Sequence, residues 1–297
     1  MKKIKISVLV PAYNEEQNIY ILLSEIAKQK LKTAEIKEVI VINDGSTDNT
    51  EREVKKAIAH KILKDKLKLI TFKSRKGKYY AINLFLKIAK SPVLIMESAD
   101  TIPKRDAYEK LARNFKNNKV GAVASRIIPL NKKNTFFGFT AHLIYKIHHE
   151  LSLKQPKFGE MIAFRNNLIK RIRPTTVDEE EIARLIQQKR LLLKYEPEAI
   201  VYNKSPETIA DFINQQKRNY CGHLILAKRY KYNAATLKSW SILKTMSQNI
   251  TIRNIPQILG IIFLGIISRA LGFIDYTTRK SEDVLWHQIK SIKNLKK

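Results

Sequence analysis

The 297 residues predict an α/β fold, a mostly parallel sheet flanked by helices. Three observations carry that prediction. Lys5–Val10 and Val39–Ile42 are short β-branched runs; each ends in a polar, acidic turn; and each turn is followed by a helical pattern. Runs apolar on both faces read as buried parallel strands, and ligands of such sheets sit where the strands' carboxyl ends meet the next helices. The first run leads into Pro11-Ala12-Tyr13-Asn14-Glu15-Glu16 and the second into Asn43-Asp44-Gly45-Ser46-Thr47-Asp48-Asn49-Thr50, so Asn14, Glu15, Asp44 and Asp48 are expected on one rim. Carboxylates there suit ribose hydroxyls, a base edge or a divalent ion, whereas a phosphate-wrapping loop would need a glycine-rich turn that is absent. Ser46 and Thr47 read as turn and helix-cap residues.

The alternation continues along the chain. Lys68–Phe72 reads as a strand and Lys73–Lys78 as a basic loop before a helix carrying Ala81, Ile82, Leu84, Phe85 and Ile88. Pro92–Met96 reads as a strand ending in Glu97-Ser98-Ala99-Asp100-Thr101-Ile102-Pro103. A helix begins near Phe136, and Asp178-Glu179-Glu180-Glu181 opens another, with Ile182, Ala183, Leu185 and Ile186 on its apolar face. Acids in a first helical turn gain roughly 0.3 to 1 kcal/mol from the dipole, and four exceed that need. Tyr195–Tyr202 follows as a strand, and Ser205-Pro206-Glu207-Thr208 starts a helix carrying Gln215 and Arg218.

These motifs, in this order, resemble the inverting glycosyltransferases of family 2, which have the GT-A nucleotide-sugar-binding fold. The resemblance runs from about Ile4 to about Gly222. It implies that Pro11, Tyr13, Glu15, Asp44 and Lys78 surround a nucleotide diphosphate sugar, with Asp44 on the base or ribose. Members usually carry Asp-x-Asp after the fourth strand; here Ser98-Ala99-Asp100 keeps the second acid alone, so Asp100 is the expected metal ligand for Mg²⁺ or Mn²⁺. Glu97 is disfavoured because adjacent strand residues face opposite ways. The resemblance also places an acidic pair after an acceptor segment, here Phe158–Arg165. Asp178 or Glu179 is therefore the expected general base that takes the acceptor proton. Gln215, Arg218 and Asn219 match the Gln-x-x-Arg-Trp motif of membrane polysaccharide synthases except at its tryptophan, which argues against processive polymerisation and leaves Arg218 to bind diphosphate through its planar fork.

Composition bounds the rest. One cysteine, Cys221, excludes an intramolecular disulfide framework and a multi-cysteine zinc site. His142, His148 and His149 lack zinc-site spacing and read as packing residues, while His223 lies near the presumed active-site helix. With no signal-peptide pattern before the first strand, the catalytic part is expected in the cytoplasm. The net charge of +29, from 56 Lys and Arg against 27 Asp and Glu, calls for a polyanionic neighbour. Nucleic acid is not expected, for no reading motif is present. An anionic membrane surface is, each basic side chain near it contributing about 1 kcal/mol.

Ile258–Ser268 is apolar on every side. The expected organisation is a GT-A domain over 1–232 and a helical membrane-binding region over 233–297. The tail is read as an in-plane hydrophobic helix followed by an interfacial one with Val284, Leu285, Ile289, Ile292 and Leu295 on one face, on the cytoplasmic side of the membrane. Its alternative use is a contact between two copies of the chain. The expected acceptor is a lipid-linked phosphate or oligosaccharide.

Overall fold

The computed structural model describes residues 2–230, 251–278 and 289–295. Eight strands form one sheet: β1 (Ile4–Ala12), β2 (Ala34–Asn43), β3 (Leu67–Thr71), β4 (Val93–Glu97), β5 (Thr101–Pro103), β6 (Val120–Pro129), β7 (Met161–Arg165) and β8 (Leu192–Asn203). Their order is β3-β2-β1-β4-β7-β6-β8-β5. Strands β3, β2, β1 and β4 run parallel, as the buried runs predict. The other half is mixed: β7 lies antiparallel between β4 and β6, β8 runs parallel to β6, and β5 antiparallel to β8.

Each central strand is buried on both faces. Val8 and Val10 pack into the layer of α1 (Ile19–Ala27), α2 (Thr50–Ala59) and α4 (Ala107–Arg113), while Leu9 packs against α3 (Lys78–Ile88). That double burial is why the runs read as continuously apolar. Strand β6 is diluted by Gly121, Ala122, Ala124 and Ser125, which blunts its β-branched signal. Gly121 is required there, because a Cβ would lie 2.4 Å from the Ile186 side chain of α6 (Asp178–Gln188).

Helix α5 (Phe136–Lys154) is capped by Thr135, whose hydroxyl accepts from the Gly138 amide. It packs with α8 (Ile255–Thr278) through Leu143, Ile147, Leu151, Ile258 and Ile261. Helix α8 also lies along α7 (Ile209–Tyr230), and Gly272 allows the approach: a Cβ would stand 2.8 Å from the Lys217 carbonyl oxygen. Its outer face leaves Leu259, Phe263, Ile266, Phe273 and Ile274 exposed. At 24 residues, with an 18-residue stretch of mean hydropathy 2.0, α8 is long and apolar enough to cross a membrane. Its Arg269 guanidinium stands 5.9 Å from the Tyr220 ring of α7.

The expected domain join continues past Tyr230 outside the described residues, as do Val284 and Leu285. Of the expected interfacial helix, the described part is a single 3₁₀ turn, Lys290–Ile292, folded back on the domain. Ile289 and Leu295 are buried there, not turned towards a membrane. The reason is local: Leu295 donates its amide to Asn18 Oδ1 at 3.0 Å, and Lys293 pairs with Glu15.

Candidate active site

The rim between β1 and β2 is built by side chains that fasten backbone. Asn14 adopts a left-handed conformation, φ 53°, which asparagine tolerates. Its amide donates to Ser46 Oγ at 2.9 Å, and its Oδ1 accepts from the Thr47 amide at 2.8 Å. Asp48 accepts from the amides of Glu16 and Thr50. Asn14 and Asp48 are thus consumed in tying the two motifs together and do not line the cavity, contrary to the expectation that they reach the ligand.

Asp44 does line it. One carboxylate oxygen accepts from the Lys76 amide at 2.7 Å and the other from the Gly77 amide at 2.8 Å, so the acid also fixes the basic loop. Burial raises its pKa, while those amides and Arg75 pull it back. Gly45, φ 69°, lets the loop close, for a Cβ would lie 2.6 Å from the backbone of Ser74 and Arg75. Arg75 stacks 4.0 Å over the Tyr13 ring. Lys76 turns away, over Phe72 and Tyr80. Glu15 accepts from Asn18 Nδ2 at 3.0 Å and is ion-paired with Lys293; burial, then the Asp100 charge, raises it to about 7.

Beyond the end of β4, Ser98 and Asp100 face the cavity. Glu97 faces the opposite layer, as strand alternation predicts. It is fully buried, accepts from the hydroxyls of Tyr108 and Thr101, and is raised by burial to about 7. Glu160, just before β7, also faces the cavity; burial, then Asp100 and Glu179, raise it to about 7.

The facing wall comes from α6 and α7. Asp178, 4% exposed at the first position of α6, has an Oδ1 with no hydrogen-bond partner among the described residues. Burial raises it to about 7 despite Lys78 and Arg218. Glu179 is also desolvated, but its ion pair with Lys78 outweighs that and lowers its pKa. Thr176 Oγ1, Arg218 Nε and His223 Nδ1 on the same wall are likewise buried without partners among the described residues. Burial drops His223 to about 4, so it is neutral at pH 7.

Pro11, Tyr13, Glu15, Asp44, Lys78, Asp100, Asp178, Glu179, Gln215 and Arg218, spread over more than 200 residues of sequence, all line one cavity of about 820 Å³. Glu160, His148 and Lys293 join them without having been singled out by the sequence. Neither Glu160 nor Lys293 has a local sequence signal: Glu160 is placed by the register between β4 and β7, and Lys293 by a contact with Glu15. Among the described residues no group of three or more His, Cys, Asp and Glu side chains is disposed to hold a metal ion alone. The donors near Asp100 are all oxygens, a set that fits a hard cation taking its other ligands from water and diphosphate.

The mixed sheet, with its rim at the ends of β1 and β2 and the acidic wall facing it, defines the GT-A class of nucleotide-sugar-dependent transferases. Residues 7–172 match the model of Glycosyl transferase family 2, and 93–277 that of Glycosyl transferase family group 2. The chain belongs to glycosyl transferase family 2. It is 29% identical over 288 residues to a poly-beta-1,6-N-acetyl-D-glucosamine synthase of Staphylococcus epidermidis, covering 92% of this chain and 65% of that protein, so it spans a little under two thirds of that relative. Among solved structures it is similar to a mannosyltransferase of Pyrobaculum calidifontis in complex with GDP-Man and Mn²⁺, with a TM-score of 0.62, 22% identity, and coverage of 93% of this chain and 76% of that one. Residues 1–349 of S. aureus TarS align with a TM-score of 0.51 and 19% identity, over 91% of this chain and 83% of that one. At these identities the structural likeness is one of fold.

Proposed function

We propose that the protein is an inverting glycosyltransferase moving a sugar from a nucleotide diphosphate to a membrane-associated acceptor, a lipid-linked phosphate or oligosaccharide, at the cytoplasmic face of the membrane. One observation supports the acceptor class above others. The cavity lined by Asp44, Asp100 and Asp178 is also lined by Leu143, Ile147 and Leu151 of α5 and by Ile261, Ile262 and Ile266 of α8, beside the exposed apolar face of α8. A polar reacting group attached to an apolar chain matches both ends of that space.

In this reading the acceptor oxygen attacks the anomeric carbon as the bond to the diphosphate breaks, and the leaving oxygen keeps the electron pair. Asp178 takes the acceptor proton, because its unpartnered oxygen and raised pKa suit a base working near neutrality. Glu179 holds Lys78 at the cavity wall. Arg218 meets charge building on the diphosphate. Asp100 would hold Mg²⁺ or Mn²⁺, which when bound neutralises the leaving diphosphate; the Mn²⁺ in the Pyrobaculum structure supports that choice.

A second reading is processive polymerisation, favoured by the likeness to the staphylococcal synthase. Against it, Asn219 stands where that motif has tryptophan. Radiolabelled UDP and GDP sugars, offered with polyprenyl phosphate in vesicles and with soluble oligosaccharides, separate the two. A single-sugar lipid product is expected. A ladder of products would establish the polymerase, and transfer to soluble acceptors alone would overturn the membrane reading.

A further inference from the structure

Ser98 stands where the family motif has its first aspartate, yet a carboxylate reaches the same place from the neighbouring strand. Glu97 pairs with Met161 in the antiparallel register of β4 and β7, which puts Ser98 opposite Glu160. The Ser98 amide donates to the Glu160 carbonyl at 2.9 Å. Residues directly opposite in such a pair share a face, with Cβ atoms about 4.5 to 5.5 Å apart. A glutamate there is one methylene longer than an aspartate at 98 and projects across the serine into the cavity that Asp100 also lines.

The Glu160 side chain is held in that position. Asn203 Nδ2 donates to Glu160 Oε1 at 3.3 Å from β8, and the Ser98 backbone amide ties the two strands at that point. The short hydroxyl of Ser98 leaves room for it, where an aspartate would set a third acid against Asp100 and Glu160. Removal of the acid at 98 and supply of one at 160 are two halves of a single exchange. Both donors are hard oxygens on the side of the cavity where the donor diphosphate would lie, and one or two carboxylates with phosphate oxygens satisfy Mg²⁺ or Mn²⁺.

We infer that Glu160 is the second carboxylate of the divalent-cation site, replacing across the strand pair the acid absent at Ser98. This rests on the nucleotide-sugar reading of the cavity. Mn²⁺ binding in the presence of UDP or GDP, read by paramagnetic resonance of free Mn²⁺ and by calorimetry, tests it without reference to turnover. Glu160→Gln should weaken Mn²⁺ binding by about tenfold or more, and Ser98→Asp combined with Glu160→Gln should restore it to within about threefold of the parent. Thermal melting establishes that each variant is folded, and the restoring variant separates loss of a ligand from loss of shape. Wild-type Mn²⁺ affinity in Glu160→Gln alongside a loss in Asp100→Ala would overturn the role of Glu160 and leave the cavity reading standing. Wild-type affinity in both variants would overturn the two together.

Discussion

On the rim made by β1 and β2, side-chain oxygens are committed to backbone: Asp44 takes the amides of Lys76 and Gly77, Asp48 those of Glu16 and Thr50, and Asn14 that of Thr47. On the wall made by α6, the turn before it and α7, Thr176 Oγ1, Asp178 Oδ1, Arg218 Nε and His223 Nδ1 are buried and unpaired among the described residues. An unsatisfied buried polar group costs about 1 to 3 kcal/mol, so several together at a cavity wall are groups for a ligand or ordered water to complete. The difference assigns the two sides different work. In the proposed reaction the rim, finished before substrate arrives, would supply affinity, and the wall, left unfinished, would supply rate.

The largest effect is expected on the wall. Asp178→Asn should lower turnover by about 10² or more, since a base acts mainly in the transition state. Glu179→Gln, which releases Lys78, should cost less. Steady-state kinetics on both variants would break the assignment if Glu179→Gln proved the more damaging.

Stability sharpens the contrast from the other side. Gly45→Ala puts a Cβ against the backbone of Ser74 and Arg75 and imposes a left-handed φ on alanine, for about 2 kcal/mol or more. That corresponds to a fall in Tm of about 4 °C or more. Thr176→Ala removes a hydroxyl with no partner among the described residues and should leave Tm within about 1 °C. Equal losses in a melting experiment would mean that the wall is as fully bonded as the rim.

The smallest effect follows pH. Asp178, raised to about 7 by burial, is mostly protonated at pH 6 and mostly ionised at pH 8, so kcat/KM should climb by about tenfold over that interval and then level off. Stability moves the other way. Glu97, Glu160 and Asp178 hold their protons to about pH 7 in the folded chain and lose them near pH 4 when unfolded. The folded state therefore binds more protons across that window, and stability falls as pH rises from about 4 to 7. A flat kcat/KM profile would remove Asp178 as the base.

The same contrast governs what could be read from sequence. The rim was legible because its chemistry is local: a buried run, a turn and a cap lie within ten residues of one another, and Ser46 and Thr47 behave as the turn residues they resemble. The acids opening α6 were legible because four of them exceed what a helix dipole uses. Glu160 was not singled out, because its position depends on the register between β4 and β7, a pairing across more than sixty residues. Lys293 reaches Glu15 across 278 positions and looks like any other lysine of a basic tail. The directions of the strands in the mixed half of the sheet are not legible for a related reason: nothing in the Ala- and Gly-containing run of β6 or the short run of β7 states which way the chain returns after the 19 residues of α5.

Division of labour across the cavity is tested most directly by titrating UDP and GDP with Mn²⁺ into Asp44→Ala and Asp178→Asn side by side in a calorimeter. Asp44 fixes the Lys76–Gly77 loop as well as facing the ligand, so Asp44→Ala should weaken nucleotide binding by about tenfold or more, while Asp178→Asn binds within about twofold of the parent. Equal losses in the two variants, or a loss confined to Asp178→Asn, would contradict the account.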